Sequence, residues 1–216
     1  MKGVIAKDLY EVFGIRKNLR SFLSTYVALI FTIDIGKSLL YPILISTVII
    51  PSILTTSLIQ TTSMLDEKYD YSMYQIPLPV SRKDIISAKY LMGIIFILFN
   101  SLLLFLLLLT RLQTLGIINL LLLVFISMIL SIYSLSISYP SIILLKNWGM
   151  VPMLITLGVG LIIYLVFPIQ KIIALFKSIV TFNIITLSII SVMSTLALLF
   201  ASYILTKHFY SKKEFN

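Results

Sequence analysis

The chain has 216 residues, of which 59% are hydrophobic and only 12% charged, with no Cys and a formal net charge of +9. A soluble domain carries about 25% charged residues, and a chain this short has no interior large enough to hide so much apolar surface. It must meet lipid, which excludes a soluble enzyme, a disulfide-stapled secreted domain and a disordered tail.

The first element is residues 2–20, KGVIAKDLYEVFGIRKNLR. Helical spacing puts Ile5, Leu9, Val12 and Phe13 on one stripe, with Lys2, Lys7, Asp8, Glu11 and Lys17 largely elsewhere. A basic, amphipathic segment of this kind predicts an interfacial helix on the inner leaflet. A plain topological anchor is an equal reading, because basic flanks alone set orientation.

Apolar runs of about 17–25 residues predict six membrane spans: roughly 21–36, 41–62, 89–110, 116–145, 149–168 and 181–207. The first is short and is expected to begin earlier, with Arg16, Lys17 and Arg20 reaching for the interface. The fourth holds Pro140, where a bend is expected. Of the 17 Lys and Arg, 13 fall in the N-terminus, the loop after span two, the loop after span four and the C-terminus. The basic residues punctuate apolar runs and form no single soluble patch, so their partner is an anionic membrane face and not nucleic acid. By the positive-inside rule both termini are cytoplasmic.

Between spans two and three lies MLDEKYDYSMYQIPLPVSRKDIISAKY, residues 64–90. Asp66, Glu67 and Asp70 are expected in the first turns of a helix over 64–76, where the helix dipole favours negative charge. Pro77 and Pro79 end that helix in an extended elbow. Ser81 with Asp84 forms a capping box, stapled by Val80 on Ile85, that starts a second helix running straight into span three. Tyr69, Tyr71, Tyr74 and Tyr90, with Met73, suggest a docking surface. Between spans five and six, IQKIIALFKSIV at 169–180 reads as a short outer interfacial or re-entrant helix.

Catalytic equipment is missing. The one His, His208, lies beyond the last span, there is no HExxH pair for zinc, and no GxxxxGK[ST] phosphate loop exists. Asp34 is expected to pair with Lys37, while Gln60, Asn100 and Asn119 read as interhelical hydrogen bonders. No catalytic residue, metal site or cofactor is assigned to the chain, which is not read as an enzyme.

The 66–93 stretch, DEKYDYSMYQIPLPVSRKDIISAKYLMG, and the opening MKGxxxKD resemble the small six-span bacterial permeases of the ABC-2 type exporter family, similar to those of phenol-soluble-modulin exporters and bacteriocin-immunity systems. The resemblance implies an all-α, polytopic fold in a single domain over 1–216. Its parts would be an interfacial helix (1–20), spans 1–2 (21–62), a cytoplasmic coupling loop (64–88), spans 3–5 (89–168), an outer gate helix (169–180), span 6 (181–207) and a cytoplasmic tail (208–216). It also implies an ABC ATPase subunit as partner, with ATP and Mg bound there, and a second copy or a similar permease beside this one. ATPase coupling would fall to Asp66, Glu67, Lys68, Tyr69, Met73, Tyr74, Pro77, Pro79, Ser81, Arg82 and Asp84. The outer gate would be Ile169, Ile173 and Phe176. The expected activity is export of an amphipathic peptide or lipid-like substrate, best guessed as a peptide toxin or antimicrobial peptide, across the bacterial cytoplasmic membrane. The alternative is a non-transporting anchor, immunity or sensor subunit that recruits the same ATPase. A proton-driven carrier is disfavoured, since it usually needs several intramembrane ionisable groups.

Overall fold

In hydrocarbon every backbone N–H and C=O must be satisfied within its own segment, and long apolar runs can do that only as helices. The computed structural model describes residues 2–35, 47, 50–69, 81–112, 115–145 and 184–212. They form α1 (Lys2–Leu9), a π-helical turn (Tyr10–Gly14), α2 (Arg16–Ile35), α3 (Ile50–Lys68), α4 (Arg82–Arg111), α5 (Ile117–Leu145) and α6 (Ile184–Lys212). Three stretches among them are long and apolar enough to cross a membrane: Lys83–Arg111, Ile117–Ile143 and Thr186–Lys212. The chain is therefore an all-helical, polytopic membrane protein.

The expected first span overlaps α2 over 21–35 and the expected second overlaps α3 over 50–62, but neither helix is among those three stretches. Helix α2 begins at Arg16, ahead of the apolar run, so Arg16, Lys17 and Arg20 belong to its opening turns. Helix α5 continues through Pro140 to Leu145 without a break. The expected fifth span, the 169–180 helix and the Asp34–Lys37 pair lie outside the described residues or side chains.

The N-terminal segment is not the single helix with an Ile5–Leu9–Val12–Phe13 face that periodicity suggests. It breaks at Ile15, which is extended (φ −82°, ψ 114°) and donates its N–H to the Tyr10 carbonyl at 3.2 Å. Gly14 permits this turn, because a Cβ there would stand 2.5 Å from the Tyr10 ring. The buried face is Val4, Asp8, Glu11 and Val12, while Leu9 and Tyr10 are exposed. The two acids turn inward because ammonium groups wait for them there. Ile5 and Phe13 pack only at the margin of a cluster of Val12, Phe22, Leu54, Met92 and Phe96.

Helix α5 is central and touches α3, α4 and α6. Small hydroxylated residues let helices approach closely in a membrane, where association rests on packing and hydrogen bonds. Thr56 of α3 meets Ser134 and Ser138 of α5 at 3.0 and 3.4 Å, all three buried. Gly93 does the same for α4: a Cβ there would lie 2.4 Å from Leu135 and 2.9 Å from Tyr139. Asn100 is an interhelical bonder as expected, its Oδ1 accepting from Tyr26 Oη at 2.7 Å. Asn119 is not, because its Nδ2 donates to the Leu115 carbonyl just ahead of its own helix.

These contacts fix directions. Tyr26 beside Asn100 and Phe22 beside Phe96 make α2 parallel to α4. Tyr90 beside Ser202 and Thr206, with Ser87 beside Tyr203, sets the first turns of α4 against the last third of α6. The starts of α1, α2 and α4 and the ends of α3, α5 and α6 consequently gather at one end of the bundle. That end carries the basic residues from which the orientation is read.

Candidate functional site

A carboxylate in the last turn of a helix faces the negative pole of the helix dipole and is disfavoured there. Asp66 is in this position, because α3 runs on to Lys68 as one helix. The expected placement of Asp66 and Glu67 in the first turns of a separate helix is thus corrected: the span helix does not stop at Thr62.

Two ammonium groups offset the misfit. Asp66 Oδ1 contacts Lys7 Nζ from α1, and Asp66 Oδ2 accepts from Lys89 Nζ of α4 at 2.6 Å. Lys7 Nζ also lies 3.0 Å from Glu11 Oε1, one helical turn on, and 3.5 Å from Asp8 Oδ1. Three carboxylates and two ammonium groups therefore converge, one negative charge in excess. The site is sparsely hydrated: Asp8 is 2% exposed and Lys89 7%. Among the described residues, Asp8 Oδ1 and Glu11 Oε2 receive no hydrogen bond.

This shortage shapes the titration. Burial pushes the Asp8 carboxyl above its ordinary range, with Lys89 and Lys7 pulling the other way. Burial likewise raises Glu11 against the hydrogen bond and charge of Lys7. For Lys7 burial works to lower the value, but the charge and hydrogen bond of Asp66 outweigh it and hold the ammonium above its usual range. No group of three or more His, Cys, Asp or Glu among the described residues is arranged to hold a metal ion; here the acids converge on a lysine.

An aromatic stack carries the network to the other helices. Tyr139 of α5 donates from Oη to the Lys89 carbonyl. Its ring stacks on Tyr90 with centroids 4.5 Å apart, and Tyr203 of α6 meets Tyr90 edge-on at 5.4 Å. Tyr90 Oη bonds Ser202 Oγ at 2.7 Å and Thr206 Oγ1 at 2.9 Å. Tyr90 is therefore buried and joins helices, and is not part of a docking surface with the other three tyrosines.

The other expected coupling residues divide by position. Lys68 and Tyr69 are exposed at the end of α3, with Tyr69 at 61% and the Lys68 ammonium 5.5 Å from its ring centroid. Ser81 caps α4, its Oγ accepting from the Asp84 N–H at 3.1 Å, as the capping box requires. Arg82 opens the helix that follows Ser81. Glu67 stands in the last turn of α3. Met73, Tyr74, Pro77 and Pro79, and the expected gate residues Ile169, Ile173 and Phe176, lie outside the described residues. The structure thus brings Asp66 together with Lys7, Asp8, Glu11 and Lys89, none of which is among the expected coupling residues, although Lys7 and Asp8 close the MKGxxxKD motif and Lys89 lies in the 66–93 stretch. Lys89 carries a physical signal as well. A lysine one position before an apolar stretch of this length needs an internal partner if its helix is packed, and Lys89 is such a lysine.

The arrangement clamps both roots of the 70–80 segment, the end of α3 and the start of α4, to each other and to the N-terminal helix. No individual curated protein and no solved structure registers as similar. A family model described as ABC-2 family transporter protein matches residues 3–211, nearly the whole chain. With that match over an all-helical, membrane-spanning bundle, the chain belongs to the ABC-2 family of transporter proteins.

Proposed function

We propose that this chain is the permease subunit of an exporter that moves an amphipathic or hydrophobic substrate, with a peptide toxin or antimicrobial peptide as the best match, out of a bacterial cell. Family membership makes it the membrane component of an ABC transporter and gives it an ABC ATPase as partner. Six spans with cytoplasmic termini, pairing with a second copy or a similar permease, and an outer gate at Ile169, Ile173 and Phe176 belong to the same proposal.

The observation that carries the coupling reading is the clamped base of the 70–80 segment. A segment whose two roots are joined by Asp66–Lys89 at 2.6 Å cannot flex independently at its base. Force applied to it by an ATPase is delivered to α3 and α4 together. Tyr69, exposed at the first root, is the anchor offered to the ATPase, with Met73 and Tyr74 following it. In this proposal Pro77 and Pro79, whose rings restrict the backbone, would supply a stiff link into the Ser81 cap. ATP-driven closure of the ATPases would then rock α4 and its packed neighbours, alternating access by movement of bundles. Asp66 serves this reading from inside, by holding the base, and not as a surface contact.

The test is co-purification with the ATPase and measurement of substrate-stimulated ATP turnover. Truncating a good anchor costs about 2 kcal/mol or more, so Tyr69→Ala should weaken ATPase recruitment about 30-fold. Pro77→Gly with Pro79→Gly should leave recruitment intact and abolish substrate stimulation. Wild-type recruitment and turnover in Tyr69→Ala would remove 64–88 as the coupling element. ATP turnover without accumulation of a candidate peptide in inverted vesicles would favour the non-transporting reading.

A further inference from the structure

Beyond transport, the lateral surface of the bundle carries a groove whose chemistry changes along its length. It lies between the start of α4 and the last three turns of α6, with a volume of about 540 Å³. On α6 the lining follows one stripe: Phe200, then Tyr203 and Ile204, then Lys207 and His208. Lys83 faces them from the first turn of α4. The stripe spans roughly 16 Å from Phe200 to Ser211 at 1.5 Å per residue. Its deep half is apolar and exposed, with Phe200 at 65% and Ile204 at 49%. Its shallow half is cationic, and no carboxylate among the described residues belongs to the lining.

Among the described residues the two lysines are uncommitted to acids: neither Lys83 nor Lys207 has an ion-pair partner there. Lys207 Nζ instead sits 5.2 Å from the centroid of the Tyr203 ring and donates to its Oη at 3.4 Å. Tyr203 Oη is also joined to Ser87 Oγ at 2.7 Å, which fixes the floor of the groove between the two helices. Asp84 follows Lys83 in the first turn of α4 and is not part of the lining.

We propose that this groove binds one anionic phospholipid from the leaflet that meets the start of α4 and the end of α6. The phosphate lies between Lys83 and Lys207, and an acyl chain runs over Tyr203, Ile204 and Phe200. The match is charge complementarity at one end and apolar contact at the other, in the order a phospholipid presents them. A soluble protein partner is a poorer fit, because Phe200 and Ile204 belong to the membrane-crossing stretch Thr186–Lys212 and are out of its reach. A free anion is poorer too, since it leaves the apolar half unused. The proposal does not depend on what the transporter carries.

The test is native mass spectrometry of the full-length chain in detergent, titrated with phosphatidylglycerol and separately with phosphatidylcholine. One phosphatidylglycerol should be retained in preference to phosphatidylcholine. A basic residue near a membrane surface contributes enough to shift binding about fivefold. Lys83→Gln and Lys207→Gln should therefore each weaken retention about fivefold and the double variant about 25-fold, while Lys207→Arg restores it. Lys2→Gln with Lys17→Gln, outside the groove, should change nothing. An equal loss in that control pair would mean diffuse attraction and overturn the site. So would competition by glycerol phosphate as effective as phosphatidylglycerol, or loss of ATPase co-purification in the double variant with lipid retention unchanged. Thermal melting of each variant at the wild-type temperature separates lost lipid from lost fold.

Discussion

Lys89 of α4 and Asp66 of α3 meet at 2.6 Å across the two roots of the 70–80 segment, and Lys7 of the N-terminal helix closes on the same carboxylate from the other side. Removing one partner of a buried pair costs about 3–5 kcal/mol, but the two partners here are not equivalent. Lys89→Met leaves one ammonium facing three carboxylates and should lose about 3 kcal/mol or more. Asp66→Asn leaves two ammonium groups with two carboxylates, a balanced set, and should lose only about 1–2 kcal/mol in weakened hydrogen bonds. Thermal unfolding of both variants in detergent decides; equal losses would contradict the excess negative charge.

The pH dependence of the N-terminal docking should run against the usual direction for acids. Asp8 and Glu11 are raised above their ordinary values of 3.8 and 4.5, so the folded state holds their protons more tightly than the unfolded state does. Their penalty is full at neutral pH, is relieved as pH falls through the raised folded values, and is gone below the ordinary ones. Asp8→Asn removes the titrating group at this position. The wild type should gain stability relative to Asp8→Asn as pH falls from 7 toward 4. Lys7, raised for the opposite reason, stabilises below 10.5 and loses that contribution as pH climbs through its folded value. Paired melting curves across this range give the sign directly.

Gly93 sets how closely α4 and α5 approach. Alanine favours a helix by up to about 1 kcal/mol over glycine, so a substitution there would be expected to help on propensity alone. The new methyl, however, would stand 2.4 Å from Leu135 Cδ1 and 2.9 Å from the Tyr139 ring. Leu135 is wholly buried, and overpacking costs about 1–3 kcal/mol. Gly93→Ala should destabilise by about 1 kcal/mol. Leu135→Ala alone should cost about 2–5 kcal/mol, and the double variant should cost less than the sum of the two. Additive losses would show that the two positions do not compete for space.

Much of this arrangement is legible in the sequence, and the failures share a cause. The Ser81–Asp84 cap is local chemistry and holds as read. Asn100 is a polar group in an apolar run, and its need for a neighbour predicts the bond from Tyr26. Asp66, Asp8 and Glu11 escape a local reading because their positions are decided by charges far away in the chain. Helical periodicity sorts residues by polarity and sends Asp8 outward, yet the inward face carries the ammonium groups of Lys7 and Lys89, which offset part of the cost of burying it. Tyr90 misleads for a similar reason: a tyrosine near a loop reads as sticky surface, while its partners Tyr139, Ser202 and Thr206 come from two other helices. The serines at 131, 134 and 138 repeat at helical spacing, and small hydroxyls at that interval do announce a close helix contact.

The span of sequence enclosed by the Lys7–Asp66 contact has a consequence for biogenesis. The partners are 59 residues apart, and Lys89 follows later still. A chain made at about 5–20 residues per second emerges for roughly 4–16 s with Asp8 and Glu11 on its N-terminal helix and no α4 to receive them. During that interval the first helix made cannot take its final seat and has to wait at the membrane surface. It docks only after α3 and α4 have been inserted as a hairpin. The N-terminal helix is first in synthesis and late in assembly, and its arrival reports that the base of the hairpin has been correctly built.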